Sequence, residues 1–581
     1  MPSAPTVTCQ NCTQSFVVTT ADNAFYQKIK VPAPTFCWQC RMQRRFSYRN
    51  ERSLYAGICA KTGKAVITCF KPSSGITIYD RDIWWGDDWS ATSFGQDYNW
   101  QQPFFTQFQA LVQHVPFPAV FNNKCDNSAY CNHVGELKNC YLVFASWGGE
   151  NSAYGEQILD VKDSCDVLGV GKSELVYDCL SSDQLYNVDF AHNAEHCHSA
   201  KFLFDCRGVS NCFGCTNLRN KSFYIFNQPY SEADYYTELK KYDTGSYRAL
   251  ELIKAKFAEL KRQAIHRFAV ITNSTNSSGD NLLYVNNTQY SFGTKNQVSD
   301  CKYVFNALEM TDVYDGYGVG AKAELLYEAM DSGVDGRMQL FVAVVWGSSN
   351  MYYSYNCFNC HDCFGCVGLR NAQYCLLNKP YSKEEYERLL PRLIEQMKAV
   401  PFTDKMGRTY RFGEYFPTEL SPFAYNETAA QEYFPLTAAE TQAQNWQWYN
   451  DDRSKNTATI AAADLPDHIN EALDSITKET ISCLHAGKCK EQCTTLYKII
   501  PSELALLHKK NIALPRLCPN CRHYARLKQR YPLNLWQRRC QCPVQHKTHT
   551  PGQCPVEFQT TYNPDRSETV YCEKCYQAEV I

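Results

Sequence analysis

Two CxxC pairs near the N-terminus have the residue types and spacing of a metal site. Cys9 and Cys12 form the first pair, and Cys37 and Cys40 form the second after 24 intervening residues. Four thiolates close a tetrahedral zinc site with no open position, which is typical of structural rather than catalytic zinc. The sequence therefore predicts a structural zinc ion bound by Cys9, Cys12, Cys37 and Cys40.

A second copy of this pattern lies near the C-terminus. Cys493 and Cys518 are 25 residues apart, and Cys521 follows at CxxC spacing. The first pair of this copy is one residue looser, so Cys483 and His485 stay open as substitute ligands. The predicted ligands of this second ion are Cys489, Cys493, Cys518 and Cys521.

More cysteines follow, which suggests a third site. Cys572 and Cys575 form its clearest pair, and Cys540 occupies the position that Cys59 has in the N-terminal copy. Cys542 and Cys554 both remain possible as the fourth ligand, while His546 and His549 are disfavoured because thiolates are plentiful. The set carried forward is Cys540, Cys542, Cys572 and Cys575. At least two structural zinc ions are expected, and three if this site is occupied.

The N-terminal segment also resembles a known family. In VTCQNCTQSFVVTTADNAFYQKIKVPAPTFCWQCRMQRR, a CxxC is followed by Phe, a central Phe-Tyr pair and then CxxCR with further Arg. This resembles the zinc-ribbon family of the treble-clef type, and the C-terminal copy is a divergent form. The wider layout is similar to large cysteine-rich zinc-ribbon proteins of small-genome bacteria. The resemblance implies a small zinc-centred fold and no particular reaction.

Arginines follow the second cysteine pair of both copies. Their three- and four-residue spacing would place them along one face of a helix. Guanidinium groups interleaved with aromatic residues suit phosphates and exposed bases, but their stems can equally pack on the zinc knuckle. Both interpretations stay open here. The candidate nucleic-acid contacts are Arg41, Arg44, Arg45, Arg49, Arg52, Arg522, Arg526 and Arg530.

The middle of the chain is an internal repeat. Residues 206–235 and 357–386 match with a constant offset of 151, and short strand-like pieces recur every 11–13 residues between Asn, Asp, Gly and Ser turns. Regular short strands of this kind indicate a β-solenoid whose turns bury their inward residues on one another. Ser231 and Ser382, each followed by acidic residues, predict helix N-termini that cap the two blocks.

Four cysteines of the second block have CxxC spacing throughout, at Cys357, Cys360, Cys363 and Cys366. Val209 replaces one of them in the first block, and the terminal Cys-Pro of bacterial ferredoxins is missing. We therefore expect buried thiols and consider an iron–sulfur cluster unfavoured.

The predicted fold is mixed and β-rich, with two β-solenoid-like blocks and capping helices between N- and C-terminal treble-clef or zinc-ribbon modules. Its segments are an N-terminal zinc module (1–60), a degenerate ribbon and linking helix (61–120), solenoid block 1 (121–230), capping and linking helices (231–271), solenoid block 2 (272–381), a capping helix (382–400), an aromatic strap (401–450), a linker (451–480) and a C-terminal double zinc module (481–581).

Composition limits the function classes. The formal charge of −2 over 581 residues gives no whole-chain attraction to nucleic acid, so such a partner would need a local patch. No secretory signal or long apolar run is visible, which favours the cytoplasm and metal-bound rather than disulfide-bonded cysteines.

The favoured function is a non-enzymatic zinc scaffold that binds nucleic acid, RNA or a ribonucleoprotein, through the arginine-rich modules. A protein-interaction scaffold on the solenoid faces is the first alternative. A metal-dependent nuclease or a glycan-processing solenoid enzyme is the second, although no spacing defines catalytic residues. The sequence does not determine the oligomeric state.

Overall fold

The computed structural model describes residues 6–450, 457–545, 549 and 552–581. Two parallel β-solenoid blocks form its centre, as the repeat predicted. Block 1 contains strands Asn122–Asn123, Asn132–Gly135, Phe144–Glu150, Ala153–Glu156, Leu159–Lys162, Cys165–Glu174, Tyr177–Asp183, Tyr186–His192, His198–Phe204, Ser210–Thr216, Ser222–Ile225 and Gln228–Pro229. Block 2 contains Ile271–Thr272, Gly279–Asn286, Ser291–Ser299, Lys302–Tyr317, Gly320–Met330, Arg337–Trp346, Ser349–Tyr352, Tyr355–Phe358, His361–Phe364, Cys375–Leu376 and Lys379–Pro380.

Each turn of block 1 is 12 residues long. Cys165 pairs in parallel with Tyr177, and Tyr186 pairs with His198. Block 2 follows the same plan with register shifts, including one between Leu283 and Val285, that lengthen some turns. Each block ends in a short antiparallel strand, which closes the edge of the sheet that would otherwise remain open.

Within a turn the chain has a finer period of three residues. Every third residue from Asn127 to Phe226 has the left-handed backbone conformation, so each turn has four corners. Another set of every third residue, from Cys131 to Cys215, lies in the interior and is mostly Cys, Ser, Val, Ala and Leu. Asn, Asp and Gly are frequent at the corners because they tolerate positive φ best.

Small polar side chains in this interior satisfy the backbone at the corners. The Ser182 hydroxyl donates to the carbonyl of Leu180 at 2.8 Å and accepts from the N–H of Ala194 at 3.1 Å. The Cys179 thiol donates to the carbonyl of Val188 on the following turn at 3.6 Å. Most solenoid cysteines are therefore structural thiols of a narrow interior. Cys357, Cys360, Cys363 and Cys366 are fully buried and donate to backbone carbonyls in the same way.

Both cysteine modules follow one local plan. Hairpin Thr6–Thr8 with Ser15–Val17 and helices Thr20–Lys28 and Trp38–Phe46 form the N-terminal module, and a degenerate copy follows with strands Tyr55–Ile58 and Ala65–Thr68 and helix Arg81–Trp85. The C-terminal modules contain strands Ile481–Ser482, Leu496–Tyr497, Trp536–Arg539, Glu557–Thr560 and Thr569–Tyr571, and helices Pro501–Lys510, Pro519–Leu527 and Glu573–Val580. Cys37, Cys518 and Cys572 are each the N-cap of the helix that carries the next cysteine.

Asp80 takes the corresponding cap position in the degenerate copy, where its side chain accepts from the N–H of Asp82. Trp84 is fully buried beside it. Asp80 and Ile83 thus replace the two cysteines of this helix, and the copy packs around Trp84 instead.

The remaining helices and the strap close the blocks. Ser231 caps Glu232–Leu239 and Ser382 caps Lys383–Ala399, as predicted. Helix Phe104–His114 links the N-terminal modules to block 1, and helix Tyr247–Gln263 lies between the blocks in sequence. Residues 401–450 pack buried aromatic side chains against block 2 and the N-terminal module.

Residues 457–480 differ from the linker that the sequence suggested. Leu465, Ile469 and Ile476 are buried in the core of the C-terminal half, and strand Ile460–Ala461 pairs with Ile481–Ser482. The rest of that predicted linker, 451–456, lies outside the described residues. Within the described ranges, no helix has the length and apolarity needed to cross a bilayer.

Candidate metal centres, arginine interfaces and binding cleft

The first metal centre has the four cysteines that the sequence named. The Sγ atoms of Cys9, Cys12, Cys37 and Cys40 all lie within 4.8 Å of one another, and Cys12 and Cys37 are 3.7 Å apart. A zinc–sulfur bond of about 2.3 Å gives a tetrahedron with an edge of about 3.8 Å. The group therefore has the size and chemistry to hold a metal ion.

The second centre brings together Cys483, Cys493, Cys518 and Cys521, so Cys483 stands where the sequence analysis placed Cys489. The cause is local. Strand Ile481–Ser482 pairs antiparallel with Leu496–Tyr497, and the Cys483 N–H donates to the carbonyl of Thr495 at 2.7 Å. This pairing carries Cys483 to the cysteine pair, whereas Cys489 lies to one side with its Sγ 3.7 Å from that of Cys521.

The third centre consists of Cys540, Cys554, Cys572 and Cys575, all buried. Cys554 takes the place assigned to Cys542, because the hairpin that follows Cys540 returns past it and the Cys554 N–H donates to the carbonyl of Cys542 at 3.1 Å. Cys542 instead groups with His549 and Cys575. His546 lies outside the described residues.

The arginine runs are buried between the modules and the solenoids. Arg45 has no exposed surface, and Arg41, Arg44 and Arg49 are at most 5% exposed. The prediction of one continuous helical face is wrong, because the helix ends at Phe46 and the later arginines leave from the following loop. In this arrangement the buried arginines Arg41, Arg44, Arg45 and Arg49 face carboxylates.

The two modules bind the two blocks through equivalent contacts. Arg41 donates to Asp315 at 2.8 Å and lies over the ring of Tyr303, with 5.5 Å to its centroid. Arg45 joins Asp315 at 3.1 Å and Glu328 at 2.8 Å. The N-terminal helix Trp38–Phe46 thus packs on block 2.

In the C-terminal copy, Arg522 contacts Asp166 at 3.0 Å and lies over Tyr154 at 4.8 Å. Arg526 joins Asp166 at 2.8 Å and Asp178 at 3.1 Å. Helix Pro519–Leu527 therefore packs on block 1. Each module is anchored on the block farther from it in sequence.

The acceptors occupy one row of left-handed corners in each block. In block 1 the row runs Tyr154, Asp166, Asp178, Phe190 and Phe202, and in block 2 it runs Tyr303, Asp315, Glu328, Phe341 and Tyr353. In each block, two acids on successive solenoid turns contact two arginines that are four residues apart on one helix. The sequence carries this signal as acids about one solenoid turn apart, Asp166 and Asp178 in block 1 and Asp315 and Glu328 in block 2.

The other arginines are also partnered. Arg44 contacts Glu328 at 2.6 Å and Glu414 at 3.0 Å, and Arg52 contacts Glu156 at 3.1 Å. Arg530 donates to the hydroxyl of Tyr433 at 2.6 Å and to the side chain of Gln157 at 3.0 Å.

Arg49 lies 2.7 Å from Asp331. Burial acts to raise the pKa of Asp331, but Arg49 and the hydrogen-bonded His133 together outweigh it and hold that pKa at about 2. This carboxylate is therefore ionised at neutral pH, as an ion pair with arginine requires.

A cleft of about 830 Å³ lies where both modules meet the start of block 1. One wall carries tyrosines from successive solenoid turns. The rings of Tyr130 and Tyr141 are 5.6 Å apart, and those of Tyr141 and Tyr154 are 5.9 Å apart, both edge to face. The lining also includes residues from the N-terminal module, the strap and the loop 492–498.

A buried polar cluster lies behind this cleft, which Glu432 and Arg52 line. His523 Nε2 is 3.3 Å from Glu432 and 3.6 Å from Glu156. Oε2 of Glu432 and Oε1 of Glu156 are buried and have no hydrogen-bond partner. Burial, reinforced for Glu156 by Glu432, raises the pKa of both carboxyls to about 7, and burial lowers the pKa of His523 to about 3.

Comparisons with known proteins assign no family. No family model matches the chain, and no curated protein matches it. Among solved structures, a protein from Desulfovibrio desulfuricans G20 described as an acetyltransferase aligns with this chain. The alignment covers 49% of this chain and 65% of the other protein, which is less than two thirds of that protein's length. The identity is 11% and the TM-score is 0.09, so this likeness carries no argument.

Proposed function

We propose that this protein is a non-enzymatic scaffold, stabilised by zinc, that binds an uncharged carbohydrate chain in the cleft beside block 1. The observation that carries the proposal is the cleft itself, which is lined by tyrosines of block 1 and by Glu432, whose buried Oε2 atom has no hydrogen-bond partner. Buried polar atoms normally have a partner, so Oε2 of Glu432 is suited to a ligand hydroxyl or a bound water.

Zinc is the metal that the three cysteine groups fit best. Each offers four thiols, and full thiolate coordination leaves no position for substrate. The helices that follow Cys37 and Cys518 carry the arginines that anchor the modules to the solenoids. The zinc ions would therefore stabilise helices Trp38–Phe46 and Pro519–Leu527, the two arginine clamps, and take no part in a reaction.

The composition of the cleft favours a neutral ligand over a phosphate chain. Its lining includes three carboxyl groups, Glu51, Glu427 and Glu432, against two cations, Arg52 and Lys498. Arg52 is already paired with Glu156. A polyanion would meet no excess positive charge here, whereas sugar rings can stack on tyrosine faces and offer hydroxyls to carboxyl groups.

The test is a binding series on the full chain with cellohexaose, maltohexaose and chitohexaose, using calorimetry. We expect one of them to bind with little salt dependence, and Tyr141→Ala to weaken it about tenfold, as for loss of one stacking platform. Tyr186→Ala is the matched control, because Tyr186 is an exposed tyrosine of the same block outside the cleft. Binding that survives Tyr141→Ala, or no binding at all, contradicts the proposal.

Nucleic acid, the partner that the sequence favoured, is the second arm of the experiment. Mixed-sequence RNA is titrated across a salt series. Binding to RNA with a steep salt slope would favour the nucleic-acid function. Because the N-terminal arginines are buried on carboxylates, that outcome would require another surface or release of a module.

A further inference from the structure

The loop from Cys483 to Cys493 contains more metal ligands than the second centre uses. His485, Cys489 and Glu491 place a ring nitrogen, a thiol and a carboxylate oxygen within 4.8 Å of one another and of the Cys521 sulfur. Cys521 is already a member of the second centre. Its sulfur therefore belongs to both ligand groups.

The distances around this second group match those between ligands of one ion. The Sγ atoms of Cys489 and Cys521 are 3.7 Å apart, and Nδ1 of His485 lies 3.7 Å from Oε2 of Glu491. Tetrahedral zinc with bonds of about 2.0–2.3 Å separates its ligands by about 3.3–3.8 Å. A direct hydrogen bond between nitrogen and oxygen would be shorter.

Two of these atoms also lack the partners that buried polar atoms usually have. Nδ1 of His485 and Oε2 of Glu491 are both buried and make no hydrogen bond. Lys528 contacts Oε1 of Glu491 and leaves Oε2 for another partner. A cation between these atoms satisfies both at once.

We propose that the second centre is binuclear, with the Cys521 thiolate bridging two divalent zinc-class ions. One ion is bound by Cys483, Cys493, Cys518 and Cys521. The other is bound by His485, Cys489, Glu491 and the same Cys521. Five thiolates and one carboxylate against two divalent ions leave a net charge of −2. With one ion, a protonated Cys489 and an ionised Glu491, the same groups carry −3, so binding of the second ion with loss of the Cys489 proton changes the charge of the module by only +1.

Ion stoichiometry in the purified full-length chain tests this directly by mass spectrometry of zinc against amino-acid analysis. Three four-cysteine centres plus this site give an expected four ions per chain. Cys489→Ser and Cys518→Ser should each remove one ion, and Cys521→Ser should remove two. Cys197→Ser, in the solenoid interior, is the matched control and should remove none.

A single ion in this module predicts a different pattern. Either Cys489→Ser keeps the wild-type content, or Cys521→Ser loses one ion just as Cys518→Ser does, and each result overturns the proposal. If Cys521→Ser does not fold, cobalt substitution decides. Two thiolate-bridged cobalt ions couple magnetically, so part of the EPR intensity is lost and returns in Glu491→Gln, whereas full intensity in the wild type refutes the bridge.

Discussion

Asp315→Asn is the most informative test of how the modules are held. Asp315 is fully buried and accepts from Arg41 at 2.8 and 3.0 Å and contacts Arg45 at 3.1 Å. The substitution keeps the shape but leaves three buried guanidinium groups, those of Arg41, Arg44 and Arg45, against the two carboxylates of Glu328 and Glu414. Removing one partner of a buried ion pair costs about 3–5 kcal/mol, because a buried charge remains uncompensated.

The assay is urea unfolding followed by tryptophan fluorescence, together with hydrogen exchange of helix Trp38–Phe46. Asp312→Asn is the control on the same strand, since its partner Lys28 is half exposed and such pairs are worth about 0–1 kcal/mol. We expect a loss of about 3–5 kcal/mol and faster exchange in that helix for Asp315→Asn alone. Equal stability of the two variants would refute the view that the arginines act as buried clamps.

Three further predictions concern other parts of the molecule. Burial raises the pKa of Glu432 from its ordinary 4.5 to about 7, so its protonated form stabilises the fold below about pH 4.5, and this contribution is lost as pH rises to 7. The free energy of unfolding of the wild type should therefore fall relative to Glu432→Gln between pH 4.5 and 7 and stay parallel above, and urea titrations at pH 5, 7 and 8 measure it. Cys554→Ser should remove one zinc ion from the chain, while Cys542→Ser should leave the zinc content unchanged, as measured by mass spectrometry. Ser182→Ala should cost about 1–3 kcal/mol because it leaves the buried N–H of Ala194 unsatisfied, whereas Ser182→Cys should cost less, and unfolding curves compare the two.

The sequence was sufficient for the features that depend on short-range spacing. Cys37 and Cys40 lie on a helix end, so their CxxC spacing alone places both sulfurs toward one point. The Ser382 cap likewise depends only on the few residues that follow it. The 151-residue offset follows from comparing two stretches of the sequence directly. These parts of the fold were predictable because neighbouring residues determine them.

The errors occurred where pairing between distant segments decides. Cys483 joins the second centre because a two-residue strand pairs with Leu496–Tyr497, which no spacing rule indicates. A run of arginines looks the same in sequence whether it faces phosphate or a buried carboxylate. In block 1 the interior set of every third residue is mostly small or apolar, which indicates the period of three in the sequence. That period in turn places Asp166 and Asp178 in one row of corners.

The crossed arrangement of the clamps has a consequence for assembly. Arg41 of helix Trp38–Phe46 binds Asp315, which lies 274 residues later in the sequence. Arg526 of helix Pro519–Leu527 binds Asp166, which lies 360 residues earlier. Closing loops of this length costs only a little more entropy than closing shorter ones, because the cost grows with the logarithm of length. Each clamp must instead recover the cost of burying charge, which requires its helix to be preformed and its arginines to be correctly placed. A metal ion held by the cysteine at the helix N-cap would supply that order. Loss of the metal from the N-terminal module should therefore weaken its contacts with block 2. Loss of the metal from the second centre should weaken the contacts of its helix with block 1.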